Sequence, residues 1–198
     1  MLLVFVVITD TSAQSQRLQI EPGIQAGANF TALTDMAHSY EPGIGFLAGF
    51  SVEAGYLGRP FSLQSGLKYY RSNTYRTVEN VNTDFVIDFL SLPVTLNYSL
   101  NSYGFPGIYF FGGLALSYLV HSEVVFNMGE DTVKSNFSDQ TTDLLYLIEA
   151  GAGSRFQKGS LNMNFRLQFN VGLNDVYNGE EIDGGRSIGV SLIAGFIF

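Results

Sequence analysis

The chain has 198 residues, which suits one domain, and it contains no Cys, which excludes disulfides, thiol catalysis and Cys-ligated metal. Charged residues are only 14% of it, against roughly a quarter in soluble domains, and the net charge of −8 argues against a nucleic-acid partner. Hydrophobic residues reach 46%, yet no apolar run approaches the roughly 18 residues that a membrane helix needs, so the apolar character is dispersed.

Residues 1–13 open with an apolar run, Met1 to Ile8, followed by Thr11-Ser12-Ala13, small residues where a signal peptidase would cut. They are predicted to be a signal peptide, atypical in having Asp10 and no preceding Lys or Arg, with residues 14–198 as the mature domain. Beyond it, side chains two apart share a face of a strand, so parity reports facing. From 17 to 31, Leu18, Ile20, Ile24, Ala26, Ala28 and Phe30 alternate with Gln19, Glu21, Gly23, Gln25, Gly27 and Asn29. Residues 43–57 set Ile44, Phe46, Phe50 and Val52 against Gly45, Gly49, Ser51 and Glu53; residues 61–71 set Phe61, Leu63, Leu67 and Tyr69 against Ser62, Gln64, Gly66 and Lys68. Residues 85–100 oppose Leu90, Leu92, Val94, Leu96 and Tyr98 to Ser91, Pro93, Thr95 and Asn97, and residues 107–120 carry Ile108, Phe110, Leu114, Leu116 and Tyr118 on the clearer apolar face. Residues 144–157 oppose Leu144, Tyr146, Ile148 and Phe156 to Glu149, Gly151, Gly153 and Arg155. Residues 160–173 alternate most cleanly, Leu161, Met163, Phe165, Leu167 and Phe169 against Asn162, Asn164, Arg166, Gln168 and Asn170. The last segment, 186–198, sets Ile188, Val190, Leu192, Phe196 and Phe198 against Ser187, Gly189, Ser191 and Gly195.

A soluble sandwich also alternates, but three features favour a membrane barrel. The polar faces are Gly, Ser, Asn and Gln with few Lys or Glu, as suits an enclosed lumen rather than bulk water. Links near 57–60, 99–106 and 157–159 are short, while those near 31–42, 72–84, 121–143 and 174–185 are long. The chain's last strand runs in strict alternation to Phe196 and Phe198, resembling the C-terminal signal for barrel insertion. Strands facing lipid must pair every backbone N–H and C=O, so the sheet has to close. The expected fold is all-β, an eight-stranded antiparallel up-and-down transmembrane β-barrel in a bacterial outer membrane. The competing architecture, a soluble barrel around a lipophilic ligand, would turn the apolar faces inward and the 160–170 polar face to water.

The run Gly23-Ile24-Gln25-Ala26-Gly27-Ala28-Asn29-Phe30, the segment Gly43-Ile44-Gly45-Phe46, and Leu90-Ser91-Leu92-Pro93-Val94-Thr95-Leu96-Asn97-Tyr98 resemble the PorT-type outer-membrane β-barrel family of Bacteroidota. Gly112-Gly113-Leu114 and Gly151-Ala152-Gly153 fall where such barrels carry small residues, and there is a broader likeness to small OmpA- and OmpX-type barrels. The resemblance implies an outer-membrane barrel; one member of the family supports protein secretion.

Parity turns Glu21, Glu53, Lys68, Glu149, Arg155 and Arg166 inward, where desolvated charges need partners; a charge network plugging a narrow lumen is expected. The four long links hold 13 Asp or Glu and 2 Lys or Arg, net −11 against −8 for the whole chain. Glu130, Asp131, Asp139, Asp175, Glu180, Glu181 and Asp183 are candidates for binding a cation or a basic partner, although no EF-hand spacing is present. Tyr56, Tyr69, Tyr98, Tyr109 and Tyr118 are candidates for interfacial aromatic girdles. His38 beside Ser39 and His121 beside Ser122 match no nucleophile motif, so no catalytic residues and no cofactor are expected, and a lipid-modifying enzyme is the weaker alternative. Expected partners are outer-membrane lipid and lipopolysaccharide, the barrel-assembly machinery, and an envelope or secretion protein.

Overall fold

A computed structural model describes residues 17–34, 41–78, 81–100, 107–128, 131–136, 138, 141–159, 161–178 and 183–198. The predicted signal segment lies outside them. In chain order the strands are β1 (Leu18–Thr34), β2 (Glu41–Tyr56), β3 (Phe61–Val78), β4 (Val81–Ser99), β5 (Ile108–Met128), β6 (Asp131–Asn136), β7 (Leu144–Lys158), β8 (Leu161–Gly172), β9 (Tyr177–Asn178), β10 (Asp183–Gly184) and β11 (Arg186–Ile197). Eight of these, β1, β2, β3, β4, β5, β7, β8 and β11, pair antiparallel in that cyclic order, and β1 pairs β11 to close the barrel. Closure leaves these strands no unpaired edge at the level of the seam, which runs from Gly23↔Ile197 to Thr34↔Arg186.

Facing follows the alternation. Phe165, Leu167 and Phe169 are exposed while Asn164, Arg166, Gln168 and Asn170 are buried, so the apolar faces point out and the lipophilic-ligand barrel is excluded. The outer surface is a belt of exposed apolar side chains, among them Ile24, Ile44, Phe50, Leu92, Leu114 and Leu192. At the edges of the belt Phe61 stacks on Tyr98 (4.9 Å between centroids) and Phe46 on Tyr69 (5.7 Å). Tyr56 and Tyr118 also face out, but Tyr109 does not belong to a girdle. It sits on the inward parity of β5 and is 2% exposed, lying over Gly153 of β7, where a Cβ would come within 2.3 Å of its ring. Phe111 covers Gly151 in the same way, which explains why β7 carries small residues there.

The ends of the barrel differ. At the turn end the links are short; Lys158 pairs Leu161 across a tight turn in which Gly159 has φ +63°, a conformation that suits glycine. At the other end much of the segments 72–84 and 121–143, expected as loops, is strand: residues 72–78, 81–84, 121–128 and 131–136. β3 and β4 stay paired to Val78↔Val81, β4 and β5 to Asn82↔Asn127, and β5 and β6 to Met128↔Asp131. The result is a four-stranded sheet, β3-β4-β5-β6, that continues the barrel wall past the apolar belt. Its strands were not read as such because their outer face, with Asn73, Asp84, Glu123 and Lys134, is polar where no lipid touches it. A bulge between Asp88 and Phe89 shifts the β4–β5 register, so that the inward positions of β5 pass from Leu119 to Ser122 and Val124.

Candidate functional site

The interior is built in two storeys. Toward the turn end, Glu21 and Glu53 are direct register partners on β1 and β2, an arrangement that repels unless a cation intervenes. Arg155 of β7 supplies it from across the lumen: its guanidinium donates to both oxygens of Glu53 and lies 3.5 Å from Glu21 Oε2. The Ser62 hydroxyl donates to the same Glu53 carboxylate, and the Arg155 guanidinium stands 5.1 Å from the Tyr109 ring centroid. Together with Arg59, Asn97 and Tyr56 these groups line an open vestibule of about 220 Å³.

One layer deeper, Lys68 Nζ of β3 donates to Glu149 Oε1 of β7 at 2.9 Å, with both side chains under 5% exposed. Arg166 of β8 donates to Gln64 Oε1 and lies 3.8 Å from the Phe111 ring centroid. The structure thus divides the six inward charges into two groups, Glu21–Glu53–Arg155 and Lys68–Glu149–Arg166. Ser117 donates to Ser91 (2.9 Å), Gln168 to Asn170 (2.6 Å) and Asn170 to Ser191 (3.3 Å), carrying the polar lining around the wall.

The second storey differs from the polar lumen that parity predicts. Toward the sheet end the interior is apolar: Leu33, Phe85, Ile87, Phe89, Leu119, Val124, Leu145, Leu147 and Val176 form one buried cluster, with Tyr70 and Phe126 packed against it. Tyr70 joins the storeys, its hydroxyl 2.7 Å from Thr31 Oγ1. The odd-numbered run Phe85, Ile87, Phe89 on β4 was the available signal, since it shares parity with the inward Ser91 and Thr95.

Outside, just past the belt, Arg71 and Asp88 are register partners, and two guanidinium N–H groups reach the carboxylate at 2.7 Å each. Phe46 lies 5.6 Å from the Arg71 guanidinium. The pair does not stand out in the sequence, because it sits at apolar-face parity on both strands. On the adjoining face Lys134 donates to Glu123 at 2.9 Å and His121 stands 3.5 Å from it. These contacts, the Lys134 hydrogen bond foremost, hold the Glu123 carboxyl below the ordinary carboxylate range. A depressed folded-state value stabilises above the unfolded pKa and is lost as pH falls through the folded one. The β5–β6 hairpin is therefore expected to loosen in acid, as pH falls through the lowered Glu123 value, read as faster amide exchange of Thr132–Asn136 at acid than at neutral pH after correction for intrinsic rates. Unchanged protection would contradict that role for Glu123.

Of the acidic candidates, Asp175 is exposed, with Arg186 at 3.8 Å. Asp131 opens β6 and Asp183 opens β10, while Glu130, Asp139, Glu180 and Glu181 lie outside the described residues. No cluster of three metal-ligating side chains forms among the described residues. His121 and Ser122 occupy opposite faces of β5: Ser122 points inward, 1% exposed, and receives the Thr141 hydroxyl at 3.1 Å, so the two make no nucleophile–base pair. His38 and Ser39 lie outside the described residues. Phe196 faces lipid, and the Phe198 N–H donates to Pro22 O at 2.8 Å, holding the end of the seam.

The family model described as an outer membrane protein beta-barrel domain matches residues 12–178. No curated protein matches the chain. Among solved structures, Ail of Yersinia pestis, crystallised with the heparin analogue sucrose octasulfate, aligns at TM-score 0.52 and 13% identity, covering 91% of this chain and 99% of that one. Neisserial surface protein A aligns at TM-score 0.51 and 15% identity, covering 89% and 97%. Both likenesses are of fold.

Proposed function

Because this chain belongs to the outer-membrane protein β-barrel domain family and so resides in the bacterial outer membrane, we propose that it is a closed, non-enzymatic anchor that presents its β3-β4-β5-β6 sheet to a basic envelope protein. The observation that carries this reading is the pairing of a filled interior with a wall that outgrows the apolar belt. Short turns face the periplasm in such barrels, which puts the projecting sheet and its acidic links outside the cell. Acidic surface attracts basic partners and repels acidic ones. Outer-membrane lipid and lipopolysaccharide contact the apolar belt and its outer edge, and the alternating strand through Phe196 and Phe198 would serve the barrel-assembly machinery.

The PorT-type likeness offers a second reading, support of protein secretion. The filled interior favours contact with a larger secretion machine over passage through this barrel.

A photo-crosslinker at Thr132, an exposed position on β6, tests the proposal in the native envelope. A discrete adduct with one basic protein is expected, and its absence, with adducts to lipopolysaccharide alone, would overturn the docking role. In planar bilayers the purified barrel is expected to show no stable conductance. Large, reproducible open steps would remove the closed interior on which the reading stands.

A further inference from the structure

Arg166 is 6% exposed and has no carboxylate within salt-bridge distance among the described residues. One of its nitrogens donates to the neutral Gln64 amide, while Nε and Nη2 find no hydrogen-bond partner among the described residues. Both groups belong to a residue lining a small interior cavity of about 10 Å³ between β1, β2, β3, β4, β7 and β8, the room of one small occupant. Lys68 lines the same cavity, and its ammonium has donors beyond the one given to Glu149. Lys68, Glu149 and Arg166 together carry one net positive charge. The nearest surplus of negative charge, at Glu21 and Glu53, is already taken up by Arg155 and Ser62, and Glu21 is partly open to water, which screens it. Glu149, which lines the same cavity, is already bonded to Lys68, so a guanidinium that cannot lose its proton is left without a carboxylate of its own, which is costly in such a place.

We propose that this cavity is a monatomic-anion site, taking chloride in the envelope, with Arg166 and Lys68 as its donors. The site lies below the apolar cluster and is independent of the projecting sheet, so its occupancy and partner docking stand or fall separately.

The test is to refold the barrel from urea in bromide, crystallise it, and measure anomalous scattering at the bromine edge. A single strong peak in the cavity, within hydrogen-bonding distance of Arg166, is expected. Water-like density without an anomalous signal would overturn the proposal. Since Arg166→Gln risks misfolding, a second readout uses the unaltered chain. At constant ionic strength, the midpoint of heat-modified gel mobility is expected to rise by several degrees in chloride relative to gluconate. A midpoint indifferent to the anion would count equally against the site. If Arg166→Gln folds, both the peak and the anion dependence are expected to vanish; a persistent peak would assign the ion elsewhere.

Discussion

Replacing Glu149 by Gln is expected to destabilise the barrel by about 3–5 kcal/mol, read as a lower urea midpoint for folding into lipid vesicles. The carboxylate accepts from Lys68 at 2.9 Å with both side chains under 5% exposed, so its loss leaves a buried ammonium without its carboxylate partner. Removing the ammonium as well, in Glu149→Gln/Lys68→Met, is expected to restore most of the loss, because the larger part of the single-mutant cost is the orphaned charge rather than the missing bond. A single-mutant cost under about 1 kcal/mol would mean that water reaches the pair and that the interior is not dry.

Leu114→Arg is expected to cost about 2–4 kcal/mol in the same assay, whereas Val133→Arg is expected to cost at most about 1 kcal/mol. Both positions are exposed apolar residues, at 60% and 48%, so exposure alone predicts similar tolerance. They differ in surroundings. Leu114 lies in the middle of the β5 belt segment with Val94 and Ile148 as outward register partners, and a cation there faces hydrocarbon. Val133 lies on β6, beyond the belt, and a cation there faces water. Equal costs at the two positions would displace the membrane from where the belt puts it.

Legibility in the sequence followed the environment of each strand. Where lipid lies on one side and the lumen on the other, the two faces differ sharply, and Leu161 to Val171 could be assigned residue by residue. Past the belt, water wets the outer face and the inside becomes apolar, so alternation reverses at Phe85, Ile87 and Phe89 and fades at Asp131–Asn136. Strand there was hidden by the same rule that revealed it elsewhere. The bulge at Asp88 added a one-residue shift that no parity count could anticipate. The candidate charges were found for the converse reason: an ionisable residue on a lumen face is conspicuous against Gly and Ser. Who pairs with whom was not legible, because Lys68 meets Glu149 across the barrel from strands that are not neighbours.

The seam between β1 and β11 joins residues separated by nearly the whole chain, from Gly23↔Ile197 upward. Hairpins such as β2–β3 and β7–β8 close over short loops and can form early, but this junction cannot form until β11 has been made. Until then both terminal strands carry rows of unpaired amides and carbonyls that hydrocarbon will not accept. Insertion and circularisation are therefore bound into one late, slow event. Substitutions along the Gly27–Ile193 stretch should lengthen the time spent as an open, aggregation-prone sheet more than they alter the finished barrel.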